Sequence, residues 1–254
     1  KGEIEFDHVS FAYPEAGENV LTDISFKAKK GQTIAVIGST GSGKSTLINL
    51  IPRYYDVTKG SVKVDGVDVR DMTQKELRDK LGYVPQKGVL FSGTIDSNIR
   101  YGKPEITDAQ VKEAAEVAQA TEFIDTKPEK YESPVSQGGT NVSGGQKQRL
   151  SIARAIAKDP EIFIFDDSFS ALDFKTDSQL RKALKEYTKD ATTVIVAQRI
   201  STILGADQII VLEDGQIVGK GTHKELLKNC EAYYQIASSQ LSEKELEEDL
   251  KEVE

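Results

Sequence analysis

Short apolar runs rich in β-branched residues alternate with helical patterns along the chain. Runs at 33–37, 162–165 and 192–196 predict buried strands. A helical pattern at 47–51 follows the first run and stops at Pro52. Continuous apolar strands that alternate with helices are typical of a parallel sheet covered on both faces. The pattern therefore predicts an α/β core with a mostly parallel sheet.

Alternating apolar and polar positions predict a second, antiparallel sheet. Residues 1–30 alternate in this way, and the run at 61–64 is followed by Asp65-Gly66, a dipeptide typical of hairpin turns. We expect an antiparallel β-subdomain made of pieces at about 1–30 and 57–70. A second pair, Asp214-Gly215, predicts a closing hairpin.

The middle and the end of the chain are predicted to be helical. The pattern from about 94 to 158 indicates an α-helical subdomain, at about 87–158, within one domain of residues 1–254. A helical tail is expected at about 230–254. In this acidic tail a thin apolar stripe predicts a solvated or dimer-packing helix, with a frayed terminal helix as the alternative. The stripe consists of Leu241, Leu246, Leu250 and Val253.

Composition and charge narrow the class of protein. The net charge of −8 over 254 residues argues against nucleic acid as the main partner. No apolar run approaches the roughly 18 to 20 residues of a membrane span, and no signal peptide opens the chain, so we expect a soluble fragment. The single cysteine, Cys230, suits a reducing cytosol. His8 and His223 are too far apart to form a metal site of their own.

One glycine-rich segment carries the most specific chemistry. Between the predicted strand at 33–37 and the helical pattern at 47–51, nine residues fit the phosphate-binding pattern G-x-x-x-x-G-K-[ST]. They are Gly38, Ser39, Thr40, Gly41, Ser42, Gly43, Lys44, Ser45 and Thr46. Glycines let successive backbone N–H groups point at phosphate oxygens, and the following helix adds its positive N-terminal end. We expect Lys44 to reach the β- and γ-phosphates and the Ser45 hydroxyl to ligate Mg²⁺. The alternative is a flexible Gly/Ser loop that matches by chance, but the order of strand, loop and helix favours nucleoside triphosphate binding.

A second motif stands where the helix at 147–157 is predicted to begin. The residues Ser143, Gly144, Gly145 and Gln146 offer a hydroxyl and glycine N–H groups at a helix start, which suits an anion site or a simple cap. With Asn141-Val142 before it, this motif resembles the signature sequence of ATP-binding cassette (ABC) proteins, and the resemblance covers essentially the whole chain. It implies a P-loop NTPase (RecA-like) core with an antiparallel β-subdomain and an α-helical signature subdomain. It also implies that two domains pair head to tail, so that each ATP lies between one phosphate loop and the partner's signature.

The resemblance assigns roles to further residues. Tyr13 matches the aromatic residue that stacks on adenine, with a surface-turn tyrosine as the alternative. Gln86 matches the glutamine that contacts Mg²⁺ and senses the membrane part of the transporter. Asp166 matches the aspartate that holds the Mg²⁺ shell, and Asp173 lies in a loop that crosses the dimer interface. The run at 90–95 is similar to ABC exporters rather than importers.

Three positions depart from the family's usual residues. Asp167 stands where active ABC ATPases generally have a glutamate that polarises the attacking water, and its side chain is one methylene shorter. Gln198 replaces the switch histidine; its amide can donate a hydrogen bond to a γ-phosphate but cannot become cationic. Gln137 stands where exporters often have a glutamate. Asp167 and Gln198, which with Lys44 are the expected catalytic residues, are the two changes nearest the γ-phosphate. Together they resemble the degenerate half of a heterodimeric exporter.

The resemblance thus implies the cytoplasmic ATP-binding domain of a heterodimeric ABC exporter. Its own site would bind Mg-ATP and hydrolyse it slowly, while its signature would complete the competent site of a different partner chain. We expect a transmembrane domain of the same transporter, fused upstream of Lys1. The alternatives are a homodimeric exporter with ordinary hydrolysis and a non-transport, nucleotide-gated regulatory module.

Overall fold

The computed structural model describes residues 1–101 and 103–251. Its strands are β1 (Ile4–Phe11), β2 (Leu21–Ala28), β3 (Thr33–Gly38), β4 (Lys59–Val64), β5 (Val67–Asp68), β6 (Leu81–Val84), β7 (Gly93–Thr94), β8 (Pro134–Val135), β9 (Ile162–Asp166), β10 (Thr192–Val196), β11 (Gln208–Glu213) and β12 (Gln216–Gly221). Its α-helices are α1 (Lys44–Asn49), α2 (Gln74–Asp79), α3 (Ile95–Ile99), α4 (Asp108–Val117), α5 (Thr121–Asp125), α6 (Gly144–Ala157), α7 (Phe174–Tyr187), α8 (Ile200–Ile203), α9 (His223–Asn229), α10 (Glu231–Gln240) and α11 (Glu243–Lys251). The chain divides into two compact units, the first Lys1–Arg78 with Thr192–Glu254 and the second Asp79–Ala191.

Parallel strands form the centre of the first unit. Strand β3 lies between β11 and β10 and is parallel to both, and β12 pairs antiparallel with β11. The inner residues 34–37 of β3 are all buried, which explains why this run is continuously apolar. The parallel core predicted from the apolar runs is confirmed.

The second sheet of the first unit is antiparallel, in the order β2-β1-β4-β5. Phe6 and Phe26 are register partners across β1 and β2, and their rings stack with centroids 4.6 Å apart. Asp65 and Gly66 join β4 to β5 with φ values of 52° and 81°, the left-handed conformation that an Asp-Gly turn supplies. The antiparallel subdomain is confirmed.

Helices α9, α10 and α11 pack on the core of the first unit. Tyr233 of α10 is fully buried, and its hydroxyl lies 2.5 Å from Nδ1 of His223, whose Nε2 lies 2.9 Å from Asp249 on α11. Leu246 is only 6% exposed, and Leu241 and Leu250 pack against the same core cluster. The stripe therefore packs on the core of its own chain, while most other positions of α11 are exposed, as in a solvated helix; dimer packing stays a prediction. Val253 lies outside the described residues.

The second unit is largely helical. Strand β6 is parallel to β9, and β7 pairs antiparallel with β8. Helix α6 packs against α3 and α4 through a buried apolar face. Helices α3, α4 and α6 each begin with a capping box, formed by Thr94, Thr107 and Ser143 with the residue three positions on.

The α/β fold class is confirmed, with a phosphate-loop core and an antiparallel subdomain. Among the described residues, no helix has the length and apolar character needed to cross a membrane. The limits of the helical subdomain and the single-domain organisation stay predictions.

Candidate functional site

The glycine loop connects the end of β3 to the start of α1 in the first unit. Gly43 caps α1 in the left-handed conformation, φ 104°, and supplies no side-chain hydrogen bond to the helix start. A Cβ on Gly38 would lie 2.4 Å from the carbonyl oxygen of Leu212, so no larger residue fits there. The Lys44 ammonium group donates to the carbonyl oxygens of Gly38, at 2.6 Å, and Ser39, at 3.0 Å. The lysine therefore lies along its own loop.

The chemistry of this loop fits a phosphate group. The first turn of α1 has no side-chain cap, while an ammonium group and the exposed Ser45 hydroxyl lie at the same end of the helix. An added Cβ on Gly41, φ 82°, would meet no atom within 4 Å, so the loop backbone there is open to a bound group. Backbone N–H groups, a cation and a hydroxyl are the groups that phosphate loops use.

Tyr13 lies close to this loop in the same unit. Its hydroxyl is 2.8 Å from the Thr46 hydroxyl on α1. Its ring makes edge contacts with Phe11 and Tyr55, with centroids 4.9 and 5.2 Å away. Tyr13 is thus a partly buried residue of an aromatic cluster at the phosphate loop; adenine stacking stays a prediction.

Gln198 lies in the turn that follows β10. The turn is held by Gln240, the last residue of α10, whose amide oxygen accepts from the Ile200 N–H at 2.7 Å and whose amide nitrogen donates to the Gln198 carbonyl at 2.8 Å. A cavity of about 430 Å³ in the first unit is lined by Lys44, Gln198 and Gln240, among others. Gln198 therefore faces the same cavity as the phosphate-loop lysine.

The second unit carries the two adjacent aspartates and Gln86. Asp166 ends β9, and the Tyr83 hydroxyl lies 3.5 Å from its carboxylate. Asp167 follows in the left-handed region, φ 51°, and its carboxylate accepts from the Gln86 amide at 3.2 Å. A left-handed φ is tolerated better by aspartate than by longer side chains. This unit thus holds the aspartate pair beside the glutamine amide.

These oxygen donors suit Mg²⁺. Carboxylate, amide and hydroxyl oxygens are the ligands that Mg²⁺ prefers, and Mg²⁺ is commonly held by one or two carboxylates together with substrate phosphates. Among residues 1–101 and 103–251, no group of three or more His, Cys, Asp and Glu side chains could hold a metal ion alone.

The signature residues lie at the start of α6 in the second unit. Ser143 is exposed and accepts from the Gln146 N–H at 3.1 Å, while the Ser143 N–H donates to the Gln146 side chain at 3.4 Å. Gly144 is exposed as well, and Gly145 is partly exposed. The motif is therefore a helix cap that leaves its glycines accessible, and the anion role stays a prediction.

Asp173 caps the next long helix, α7. Its carboxylate accepts from the backbone N–H of Thr176 at 2.8 Å and from the Thr176 hydroxyl at 3.0 Å. These bonds hold the pKa of Asp173 below its usual value, because they favour the charged carboxylate. The loop that carries Ser170 to Asp173 thus ends in an ionised cap.

The chain also matches a known protein family. The family described as "ABC transporter" matches residues 21–170, more than half of the chain. The chain belongs to the ABC transporter family. The match includes the glycine loop between β3 and α1, the signature at the start of α6, and the two aspartates, Asp166 and Asp167, at the end of β9.

Curated ABC relatives are similar over nearly the whole chain. A protein of Staphylococcus aureus (strain NCTC 8325 / PS 47) named "Putative multidrug export ATP-binding/permease protein" is 48% identical over 240 residues, 94% of this chain and 42% of the relative. An "Uncharacterized ABC transporter ATP-binding protein" of Mycobacterium bovis is 49% identical over 242 residues, 94% of this chain and 41% of the relative. The chain thus spans about two fifths of the length of these relatives.

A solved structure has the same fold. The structure of a bacterial Atm1-family ABC exporter with ATP bound superposes with a TM-score of 0.91 at 37% identity, over 96% of this chain and 43% of that chain. The similarity supports the ABC exporter type of nucleotide-binding domain.

Two glutamines that the sequence did not single out hold the turns of this ABC domain. Gln148 is 1% exposed; its amide oxygen accepts from the Gly88 N–H at 2.7 Å and its nitrogen donates to the Pro85 carbonyl at 3.0 Å. It therefore brackets the turn that carries Gln86, as Gln240 brackets the turn at Gln198. Gln148 could have been found from the sequence, because it lies two residues after the signature. Gln240 lies in no motif, and no pattern marks it.

Proposed function

We propose that the chain is the cytoplasmic ATP-binding domain of a heterodimeric ABC exporter, with a slowly hydrolysing site of its own. It binds Mg-ATP at the glycine loop and lends its signature to the competent site of a different partner chain. The observation that carries the proposal is the pair Asp167 and Gln198, which stand where the family generally has glutamate and histidine.

ATP binding is supported by the local chemistry of the phosphate loop. Lys44 lies along the loop, and Ser45 presents an exposed hydroxyl at the start of α1. We assign Lys44 to the β- and γ-phosphates, and Ser45, Gln86 and Asp166 to the metal. When bound, Mg²⁺ would supply positive charge that offsets the negative charge of phosphoryl transfer. Tyr13, tied to Thr46 of the same loop helix, is assigned to the adenine ring.

Slow hydrolysis is supported by the geometry of Asp167. Its carboxylate is one methylene shorter than that of glutamate, and it accepts a hydrogen bond from the Gln86 amide. A misplacement of about 1 Å can lower the rate of a positioned reaction roughly 10²-fold. Phosphoryl transfer depends almost entirely on positioning and electrostatic stabilisation. We therefore expect Asp167 to hold and orient water poorly.

Gln198 lowers the expected rate further. Its neutral amide can donate to a γ-phosphate oxygen, which supports binding. It cannot carry a positive charge or exchange a proton near neutral pH as histidine can. The side chain is therefore suited to sensing the γ-phosphate and poorly suited to stabilising the charge that moves during its transfer.

Partners are supported by two exposed features of the second unit. Ser143 and Gly144 are accessible at the start of α6, as a signature that serves a partner's nucleotide requires. Phe91 and Tyr101 stack with centroids 4.4 Å apart and are 40% and 58% exposed, an apolar surface typical of a protein contact. We assign this aromatic surface to the transmembrane part of the exporter.

The decisive experiment restores the family's residues in the assembled transporter. The variant Asp167→Glu/Gln198→His is assayed with the partner's own phosphate loop disabled. We expect hydrolysis at this chain's site to rise about 10²-fold, because the longer glutamate side chain can reach the attacking water and the histidine can carry a positive charge. Single-turnover hydrolysis of labelled ATP measures this rate. Lys44→Ala in the same background is the control and removes the gain.

Two results contradict the proposal. Brisk hydrolysis by the unaltered chain in this background overturns the degenerate site and favours a homodimeric exporter. An unchanged slow rate in the double variant shows that groups other than Asp167 and Gln198 limit the reaction.

A further inference from the structure

The turn at Gln198 is held from outside the known motifs by a single side chain. Gln240 accepts from the Ile200 N–H at 2.7 Å and donates to the Gln198 carbonyl at 2.8 Å. One amide thus pairs with both a donor and an acceptor on either side of Arg199. Such a two-point contact fixes the path of the backbone between the two bonds, whereas one bond would leave it able to rotate.

Packing and hydrogen bonds in the first unit fix the position of helix α10, which carries Gln240. Tyr233 and Ala237, on its inner face, are fully buried in the core of the first unit. The Tyr233 hydroxyl is hydrogen-bonded to His223, which is hydrogen-bonded in turn to Asp249 of α11. Because α10 is held at these points, its last residue, Gln240, has a fixed position relative to the strands of the same unit.

The held turn and the phosphate loop line the same cavity. This cavity of about 430 Å³ is lined by the loop residues Ser39, Thr40 and Lys44, by Gln198 and by residues of α10. A change in the turn would therefore move the Gln198 side chain relative to Lys44 inside a shared cavity. The exposed position of Gln198 leaves its side chain with little packing of its own to fix it.

We propose that Gln240 is a positioning residue, which holds the 198–200 turn so that the Gln198 amide is aimed at the γ-phosphate of bound ATP. The inference rests on the proposed function, since it takes the phosphate loop as the ATP site. It adds that helix α10, through Gln240, sets how strongly the site distinguishes a nucleoside triphosphate from a diphosphate.

The test compares the affinities of ATP and ADP for the chain, measured by calorimetric titration of each nucleotide in the presence of Mg²⁺. In Gln240→Leu we expect ATP binding to weaken about threefold to tenfold, the worth of one hydrogen bond, while ADP binding changes less than twofold. Gln240→Glu keeps the acceptor for Ile200 but sets a carboxylate oxygen against the Gln198 carbonyl, so we expect it not to restore the ATP affinity that Gln240→Leu loses. Gln198→Ala should lose ATP affinity as Gln240→Leu does, and the double variant should lose no more than Gln198→Ala alone.

A second measurement reads the turn directly. Amide exchange at Ile200 should be faster in Gln240→Leu, because its N–H has lost its acceptor. Ser238→Leu, an exposed position two residues earlier on α10 whose hydroxyl bonds only locally to the Gln235 carbonyl, is the control and should alter neither readout.

The outcomes separate the inference from the proposed function. Equal losses of ATP and ADP affinity in Gln240→Leu would mean a merely structural role and overturn the inference, with the ATP site intact. A selective loss that Gln198→Ala does not reproduce would also overturn it. If the unaltered chain binds neither nucleotide, the proposed function fails and the inference fails with it.

Discussion

At the scale of single residues, the same hydrogen-bonding arrangement, a glutamine amide that bridges a turn, occurs twice among the described residues. Gln148 and Gln240 each bond an N–H and a carbonyl of one turn, and each turn carries a glutamine assigned to the nucleotide site. An amide is suited to this task because it presents a donor and an acceptor on one planar group. The two differ in burial: Gln148 is 1% exposed, whereas Gln240 is exposed.

Because Gln148 is buried, we expect its replacement to lower the free energy of unfolding markedly. In Gln148→Leu the Gly88 N–H and the Pro85 carbonyl lose their partner, at about 1 to 2 kcal/mol for each of these partly buried groups. We expect the free energy of unfolding to fall by about 2 to 4 kcal/mol, measured by urea denaturation.

Gln146→Leu is the matched control on the same helix. It removes a contact of 3.4 Å at a partly exposed helix start, so its cost should be below about 1 kcal/mol. Equal losses in the two variants would contradict a special role for the buried amide.

At the scale of elements, two hairpins with the same turn dipeptide have different surroundings. Asp65-Gly66 and Asp214-Gly215 have nearly the same conformation, with φ values of 52° and 81° in the first and 49° and 75° in the second. A Cβ added to Gly66 meets no atom within 4 Å, while one added to Gly215 lies 2.0 Å from the Val20 carbonyl oxygen. Gly215 also donates its N–H to the Ser42 carbonyl, at 3.0 Å, and so contacts the phosphate loop.

We expect Gly215→Ala to be much more harmful than Gly66→Ala. Both place alanine in the left-handed region, at about 1 to 2 kcal/mol, but only Gly215→Ala forces backbone to move, which adds about 1 to 3 kcal/mol. Thermal or urea unfolding of the two variants measures the difference. Because the Gly215 N–H bonds to the loop, ATP affinity should fall in Gly215→Ala and stay unchanged in Gly66→Ala. Similar stability losses would show that the close approach at Gly215 relaxes freely.

At the scale of the whole molecule, nucleotide binding should be visible as stability. A ligand at 100 times its Kd that binds only the folded state adds about 2.7 kcal/mol to the free energy of unfolding. For a chain of about this length, roughly 2 to 4 °C of Tm per kcal/mol then predicts a rise of about 5 to 10 °C with Mg-ATP. Differential scanning fluorimetry measures it. Lys44→Ala should abolish the rise, and the same rise in that variant would place ATP elsewhere.

Much of the fold was predictable because local rules and the tertiary structure agree. The apolar run at 33–37 became the buried strand β3, and Asp65-Gly66 became a turn, since period and turn chemistry act over a few residues. The acidic tail was predicted as a solvated or dimer-packing helix, and the sequence did not show that Leu246 meets a core surface that α9 and α10 supply from elsewhere in the chain.

The sequence by itself determined the family, the phosphate loop and the two unusual residues, Asp167 and Gln198, because these are matters of residue type and short spacing. Only the tertiary structure decided which partner each turn has. Gln240 is 42 residues from Gln198, and Val20 is far in sequence from Gly215, yet both pairs are in contact. Contacts of this kind depend on how distant elements pack, and no local pattern encodes them.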